Sequence, residues 1–265
     1  MRKRRHTPVA NRYEPKGHRD AVTNPERITD GQLDSGWAAA ENTRIRAATA
    51  ADIDAIGPLA DLAGAPFEPE LQAGIARGTA GGGLRICLRD GHRAYTEHMA
   101  ARFAEHQRDD NPILAYLSAA LVLVAEHRDH GVVGALLAYP PLTAASQIID
   151  RMAEVGFDDH EQYKTVLGIG MFLVRVKVVA VAEHARGDNL GGSMLKIATR
   201  IYDQCNYEII YGAMPDDRGL DVFYRRAGFT VHGPADALDL FVMFGRDTKI
   251  WPGAGERLFS RLRPH

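Results

Sequence analysis

The chain has 265 residues, of which 45% are hydrophobic and 25% are charged. This balance is typical of a globular protein with a sizeable core and argues against a disordered or fibrous chain. The formal net charge of -2 gives no overall attraction for nucleic acid or for an anionic membrane, so such a partner would need a local basic patch.

Residues 1–40 are rich in Arg, Asn, Pro, Asp and Gly and have no apolar periodicity, which predicts a basic, poorly ordered N-terminal extension. Its Arg-rich tip either contacts nucleic acid or is a solubilising tail, and the sequence leaves both readings open. Residues 7–23 contain no apolar run, so we do not expect a secretory signal peptide.

Regular structure is predicted to begin at Thr43, where polar and apolar residues alternate as in a half-buried strand. Thr49, with Asp52 three residues later, resembles a capping box, and a helix with one apolar face follows as far as Gly64. We therefore expect a strand and then a helix at the start of a main domain that spans residues 41–248.

Residues 64–119 are predicted to form a helical insertion in that domain. A glycine loop at residues 79–83 is interpreted as a hinge, because it lacks the lysine of a phosphate-binding P-loop. Residues 90–107 have helical spacing, and their apolar stripe either packs in the core or lines a binding pocket. The stripe comprises Tyr95, Met99, Phe103 and His106.

From residue 119 the pattern favours strands: two apolar runs flank a turn at 128–131, which predicts a β-hairpin, and a helix is expected from residue 142 to about 155. The remaining prediction is a strand at 166–182, a helix at 190–206, a strand at 208–214, a helix at 220–227, strands at 229–232 and 238–246, and a C-terminal tail at 249–265. This alternation indicates a mixed α/β (α+β) fold. The most apolar stretch, 171–182, is too short to cross a bilayer of about 30 Å as a helix, so no membrane contact is expected.

One segment has the composition of a phosphate-binding site. An apolar strand at 176–182 leads into a loop with Arg186, Gly191, Gly192 and Ser193, and a helical pattern follows directly. A glycine-bearing loop before a helix N-terminus exposes backbone N–H groups to an anion, and Arg186 adds a forked cationic donor. The segment therefore predicts a phosphate-bearing cofactor.

This segment resembles the acyl-CoA-binding motif of the GNAT superfamily of N-acyltransferases, Arg/Gln-x-x-Gly-x-Gly/Ala. The chain offers Arg186-x-x-Asn189-x-Gly191, followed by Gly192. Asn189 occupies a usual glycine position. Asn is the non-glycine residue that best tolerates a positive φ, so cofactor binding is expected to survive, although the departure leaves weakened affinity open. Neither a P-loop motif nor a dinucleotide-binding Gly-x-Gly-x-x-Gly motif occurs after a strand.

A second match lies downstream, where residues 221–229, Asp-Val-Phe-Tyr-Arg-Arg-Ala-Gly-Phe, resemble the family's Phe-Tyr-x-x-x-Gly-Phe block. The resemblance implies that Tyr224 is the general acid that protonates the leaving thiolate, and the alternative is that Tyr224 only packs against the sheet. It also implies a GNAT-like mixed, mostly antiparallel sheet flanked by helices. The implied contacts to acetyl-CoA are Val179, Ala180, Val181, Arg186, Gly187, Asn189, Gly191, Gly192 and Ser193.

The resemblance implies transfer of an acetyl or other short acyl group from acyl-CoA to an amine by direct attack. The alternative is a GNAT-like module, catalytically weak or inactive, that senses CoA or binds RNA or protein, with nucleic-acid contact only through the N-terminal extension. The acceptor is not distinguished among small molecules, peptides and aminoacylated RNA, and a homodimer stays open. Glu183 and His184 are the nearest candidates for a general base, but neither is assigned that role.

No metal is expected, because His92, His98 and His106 do not share one helical turn. The two cysteines, Cys87 and Cys205, lie outside any CxxC spacing, which favours buried thiols in a cytoplasmic protein over a disulfide, a zinc site or a nucleophile.

Overall fold

A computed structural model describes residues 27–107, 112–245 and 248–264 of the chain. The strands are β1 Trp37–Ala40, β2 Thr43–Ala47, β3 Leu121–His127, β4 Gly131–Tyr139, β5 Leu173–Val181, β6 Ile209–Pro215, β7 Thr230–Val231, β8 Leu238–Asp239, β9 Lys249–Ile250 and β10 Glu256–Leu262. The helices are α1 Asp30–Ser35, α2 Ile53–Ala63, α3 Pro69–Ala76, α4 Gly82–Asp90, α5 His92–Gln107, α6 Leu142–Glu154, α7 Asp159–Phe172, α8 Leu190–Gln204, α9 Asp221–Arg226 and α10 Phe241–Phe244. Short 3₁₀ turns occur at Ala50–Asp52, Pro112–Ala119, Glu183–Ala185 and Asp216–Arg218.

Eight strands of the described residues form one sheet in the order β1-β2-β3-β4-β5-β6-β10-β7. Neighbouring strands are antiparallel except β5 and β6, which are parallel. The predicted mixed, mostly antiparallel sheet is therefore confirmed. β8 and β9 pair separately as a two-stranded ribbon.

The core has two parts, one on each face of the sheet. Leu123 and Leu136 pack with α8 on one face, and their chain neighbours Val124 and Leu137 pack with α2 on the other. This division follows from the two-residue period of a strand, which sends successive side chains to opposite faces. Helices therefore cover both faces, as the fold class requires.

The first predicted elements are confirmed, with shifted boundaries. Thr49 and Asp52 form the predicted capping box, although the turn that they cap is the 3₁₀ turn Ala50–Asp52, which leads into α2. The β3/β4 hairpin and α6 also match the prediction. The described part of residues 64–119 is mostly helical, as predicted. The glycine loop ends earlier than expected, however, because α4 begins at Gly82.

The stripe on α5 is a core-packing stripe. The side chains of Tyr95, Met99 and Phe103 are fully buried, at 0% exposure. The Tyr95 hydroxyl lies 2.6 Å from that of Tyr207, which in turn donates a hydrogen bond to the carbonyl of Gly170 at 2.8 Å. Of the two readings offered for this stripe, packing is the one that the structure supports.

The strand predicted at 166–182 is wrong in its first part. Residues up to Phe172 belong to α7, and only Leu173–Val181 form β5. A continuous apolar run does not distinguish a buried helix from a buried strand. Tertiary contacts resolve the ambiguity: Gly170 lies so close to Tyr116 that a Cβ there would meet its ring at 2.6 Å, and the Tyr116 hydroxyl donates to the carbonyl of Val166 at 2.7 Å.

Both predicted ends of the main domain are also wrong. The poorly ordered extension was expected to reach residue 40, but α1 and β1 lie within it and β1 is the first strand of the sheet. Residues 249–265 were expected to be a tail, yet β10 lies between β6 and β7. Pro252 and the glycines around it are typical of an irregular segment, so the sequence pattern did not predict that strand. The Arg-rich tip of the extension lies outside the described residues.

Three boundaries near the C-terminus differ from the prediction. The strand expected at 238–246 consists only of β8, and α10 follows it. The strand expected at 229–232 is the two-residue β7. The helix at 220–227 is confirmed as α9, with one residue fewer at each end.

Candidate active site

A cleft opens where β5 and β6 separate. The two strands pair from Leu173 with Ile209 to Val176 with Gly212, and beyond these residues β5 pairs only with β4. One backbone edge of β5 between Lys177 and Val181 is therefore not used by β6. The resulting space, here called the α8 cleft, has a volume of about 1480 Å³ and is bordered by the N-terminus of α8 and by α9.

Gly212 explains why the two strands can approach before they separate. A Cβ on Gly212 would meet the ring of Phe259 at 2.3 Å and the carbonyl of Val176 at 2.7 Å. Both distances are shorter than real Cβ contacts, so only glycine fits between β5 and β10.

The loop before α8 has the predicted geometry. Asn189 is the N-cap residue in the left-handed conformation, with φ of 55°. This confirms that the position requires a positive φ, which Asn tolerates. A Cβ on Gly192 would lie 2.4 Å from the Asn189 side-chain oxygen, so a side chain there would require the Asn189 amide to move. The N–H groups of this turn precede the first intrahelical bond, from Ser193 to Asn189, and are free to bind an anion.

The charge of the α8 cleft is entirely positive. Five basic residues line it and none of the lining residues is Asp or Glu; the five are Lys177, Arg186, Lys196, Arg218 and Arg226. Lys177 is partly neutralised by an ion pair with Glu68 at 3.1 Å. A concave site of this kind concentrates anionic ligands.

Only Arg186 was predicted among these cations. Lys196 could have been found from the sequence, because it lies four residues after Gly192 and so on the same face of α8. Arg218 and Arg226 come from the turn and helix that follow β6, and only the folded chain brings them to the loop. Arg186 itself donates from Nε to the carbonyl of Val181 at 3.2 Å, which ties the loop to the end of β5.

Tyr224 lies on α9 with its side chain 7% exposed and forms part of the lining of the α8 cleft. Its ring stacks on Phe259 with 3.7 Å between centroids and contacts Phe229 edge-on. Burial raises the pKa of its hydroxyl, so the phenol stays protonated at neutral pH. Among the described residues, none forms a hydrogen bond with that hydroxyl. The ring is thus held by packing while the hydroxyl is left available.

Nearly all predicted site residues meet in the α8 cleft. Those that line it are Val179, Ala180, Val181, Arg186, Gly187, Asn189, Gly191, Gly192 and Tyr224. Ser193 is not among the lining residues, and its N–H donates to the carbonyl of Asn189 within the helix. Phe223, which also lines the cleft, was not singled out from the sequence. A Cβ on Gly191 would lie 3.3 Å from its ring, so the ring of Phe223 on α9 packs closely against the start of α8.

The two base candidates from the loop are not brought into the cleft. Glu183 and His184 are exposed, and neither is among its lining residues. Within the described ranges, no group of three or more His, Cys, Asp or Glu residues could hold a metal ion. Both cysteines are free thiols and buried, so their prediction as core residues is confirmed. No helix in the described part of the chain is long and apolar enough to cross a membrane.

No protein-family model and no curated protein matches the chain. Solved structures that resemble it include yncA of Salmonella typhimurium with acetyl-CoA (16% identity, TM-score 0.41, covering 84% of this chain and 95% of that one). They also include a ribosomal-protein-alanine N-acetyltransferase of Brucella melitensis (18%, TM-score 0.39, 82% and 98%) and an N-acetyltransferase of Staphylococcus aureus Mu50 (13%, TM-score 0.41, 84% and 99%).

Proposed function

We propose that the chain is an acyl-CoA-dependent N-acyltransferase of the GNAT type, which transfers an acetyl or other short acyl group to an amine. The observation that carries the proposal is the α8 cleft. It combines an open helix N-terminus, five basic side chains, no carboxylate and a buried tyrosine at the end of an unpaired strand edge.

Acetyl-CoA matches each part of this cleft by its chemistry. The pyrophosphate suits the N–H groups at the start of α8 and the guanidinium of Arg186. The amide groups of the pantetheine arm suit the free backbone edge of β5 from Val179 to Val181, where main-chain hydrogen bonds can form as in strand addition. Lys196, Arg218 and Arg226 supply further charge for the phosphates.

In the proposed reaction, the amine nitrogen attacks the thioester carbonyl carbon, a C–N bond forms and the C–S bond breaks. The leaving thiolate takes the proton of the Tyr224 hydroxyl, and the amine proton leaves to water. A thiol has a pKa of about 8.5, which is below that of a phenol, so proton transfer from Tyr224 to the thiolate is uphill in free energy. The transfer therefore requires the hydroxyl to lie close to the sulfur, and the packed ring of Tyr224 can hold it there.

Replacement of Tyr224 by Phe tests this role. We expect kcat to fall by roughly 10²- to 10⁴-fold, because a positioned general acid contributes about that much, while the Kd for acetyl-CoA stays the same. Thiol release measures turnover and calorimetry measures binding. Tyr163→Phe, on α7 and outside the cleft, is the matched control and should leave both unchanged. Unchanged turnover in Y224F would remove Tyr224 from the mechanism.

Replacement of Lys196 or Arg218 by Gln tests the phosphate site. Each change should weaken acetyl-CoA binding about tenfold, since a hydrogen bond to a charged group contributes about 1.5 kcal/mol. The loss should shrink at high salt. Lys164→Gln, an exposed lysine of α7, is the control. Calorimetry that detects no acetyl-CoA binding by the wild-type chain would refute the proposal and favour the non-catalytic module.

A further inference from the structure

A second cleft of about 800 Å³, here called the Arg175 cleft, lies between α6, β9 and the β5-β6-β10 part of the sheet. The sheet contributes Arg175, Tyr211, Ala213, Glu256 and Leu258 to its lining. The register places these side chains on one face, because Arg175 is paired with Tyr211 and Ala213 with Leu258.

The two clefts meet at the point where β5 and β6 separate. Ala213 lines both of them, and it directly follows Gly212, the last residue of β6 that pairs with β5. Phe259, which supports Tyr224, lies next to Leu258 on β10 and therefore faces the opposite side of the sheet. A thioester delivered through the gap would thus have Tyr224 on one side and the Arg175 cleft on the other.

Arg175 is the unusual residue of this cleft. Its Nε atom is buried and has no hydrogen-bond partner, and no ion pair joins it to a carboxylate in the described part of the chain. Glu68, the N-cap residue of α3, forms its ion pair with Lys177, which lies two residues after Arg175 on β5. Arg175 is half-buried, and a cation at the wall of a cleft whose Nε has no hydrogen-bond partner is suited to bind an anionic ligand.

The remaining lining is mostly basic and apolar, with Thr143, Gln147 and Thr248 as neutral polar residues. Arg151 and Lys249 add positive charge, and Glu256 is the one carboxylate among the lining residues. Three of the lining side chains are large, apolar and exposed: Val155 at 65%, Phe157 at 38% and Trp251 at 65%. The cleft therefore combines a basic interior with an apolar mouth.

We propose that the Arg175 cleft is the acceptor site and that it takes an amine carrying an anionic group and an apolar body. The anion pairs with Arg175, the apolar body contacts Trp251, and the amine reaches the gap at Ala213 near Glu256. This inference rests on the proposed acyltransfer, and it adds the class of acceptor.

Paired substrates test the class of acceptor. L-phenylalanine is compared with 2-phenylethylamine, and O-phosphoethanolamine with ethanolamine, so that each pair differs by one anion and the two pairs separate carboxylate from phosphate. We expect kcat/KM to favour the anionic member of at least one pair by roughly tenfold or more, as for a charged hydrogen bond. Arg175→Met should abolish this preference, whereas Arg93→Met, an exposed residue of α5, should keep it. No preference, or a preference that R175M retains, overturns the proposal.

A binding measurement keeps the test independent of turnover. In a Trp37→Phe background, Trp251 is the tryptophan that remains, and its fluorescence is titrated with phenylacetate and with phenyl phosphate. We expect saturable quenching by at least one anion and at least roughly tenfold weaker binding in R175M. No saturation, or equal curves in the two proteins, overturns the acceptor proposal.

Two further measurements distinguish failure of the acceptor proposal from failure of the acyltransferase proposal. Calorimetry with acetyl-CoA reports on the acyltransferase proposal, so anion binding without acetyl-CoA binding would refute that proposal and leave the anion site standing. The urea midpoint of R175M should stay close to that of the wild type, because Arg175 forms no ion pair within the described residues and Met keeps a similar apolar stem. A clearly lower midpoint would indicate a structural role for Arg175 and contradict a role in anion binding alone.

Discussion

Phe259 offers the sharpest test of the architecture, because it belongs to a segment whose sequence reads as a tail. Its side chain is 1% exposed in β10 and stacks on Tyr224. Replacing a buried Phe by Ala costs about 3–5 kcal/mol, of which the aromatic pair accounts for about 0.5–1.5 kcal/mol. Since the total stability of a domain is about 5–15 kcal/mol, the loss should be large on that scale.

Urea unfolding followed by circular dichroism measures this loss for Phe259→Ala. Phe241→Ala is the matched control, because Phe241 is 57% exposed and its truncation should change the unfolding free energy by less than about 0.5 kcal/mol. If F259A does not fold, Phe259→Leu provides a milder step of about 1–2 kcal/mol. Equal losses in F259A and F241A would refute the placement of β10 in the core. Where F259A folds, its turnover should also fall, because Tyr224 loses its support.

Three further predictions follow from the packing. Burial alone would raise the pKa of Asp52, but hydrogen bonds from Arg46 and Thr49 outweigh it and hold that pKa below its ordinary value. The stabilisation that the Asp52 carboxylate gives the folded state is therefore complete above about pH 3.9 and is lost as the pH falls through the lowered pKa. Asp52→Asn should lower the free energy of unfolding by about 3 kcal/mol at pH 7 and by progressively less at acid pH, which urea midpoints measured across this pH range would show. Gly57→Ala should stabilise α2 by about 0.5–1 kcal/mol, because a Cβ there meets nothing within 4 Å, and an unchanged or lower melting temperature would contradict this. Both thiols are buried, so a thiol reagent should react with the chain only after unfolding, and rapid reaction of the native protein would show that the core is open at Cys87 or Cys205.

The sequence was most informative where a local rule sufficed. The capping box at Thr49, the β3/β4 hairpin and the helix after Asn189 each follow from patterns a few residues long, and each is confirmed. The predicted cleft residues assembled for the same reason. A strand, a loop and a helix that are consecutive in the chain remain adjacent in space.

Prediction failed where a pattern fits two structures or where a partner is distant in sequence. The apolar run at 166–182 suits a helix or a strand, and the contact of Gly170 with Tyr116 decides which. The last strand carries Arg257, whose ion pairs with Asp216 and Asp221 join residues far from it in the chain. A pattern of a few consecutive residues does not predict ion pairs between residues so distant in the sequence.

The sequence by itself thus determined the mixed fold class, the glycine loop at Asn189 and the tyrosine block around Tyr224, because these depend on backbone conformation and short-range spacing. Only the tertiary structure placed β10 beneath Tyr224, gathered Arg218 and Arg226 at the α8 cleft and left the Nε atom of Arg175 buried without a hydrogen-bond partner. Each of these depends on which strands become neighbours. Which strands become neighbours depends on how the apolar residues of the whole sheet are buried, and every helix and strand contributes to that burial.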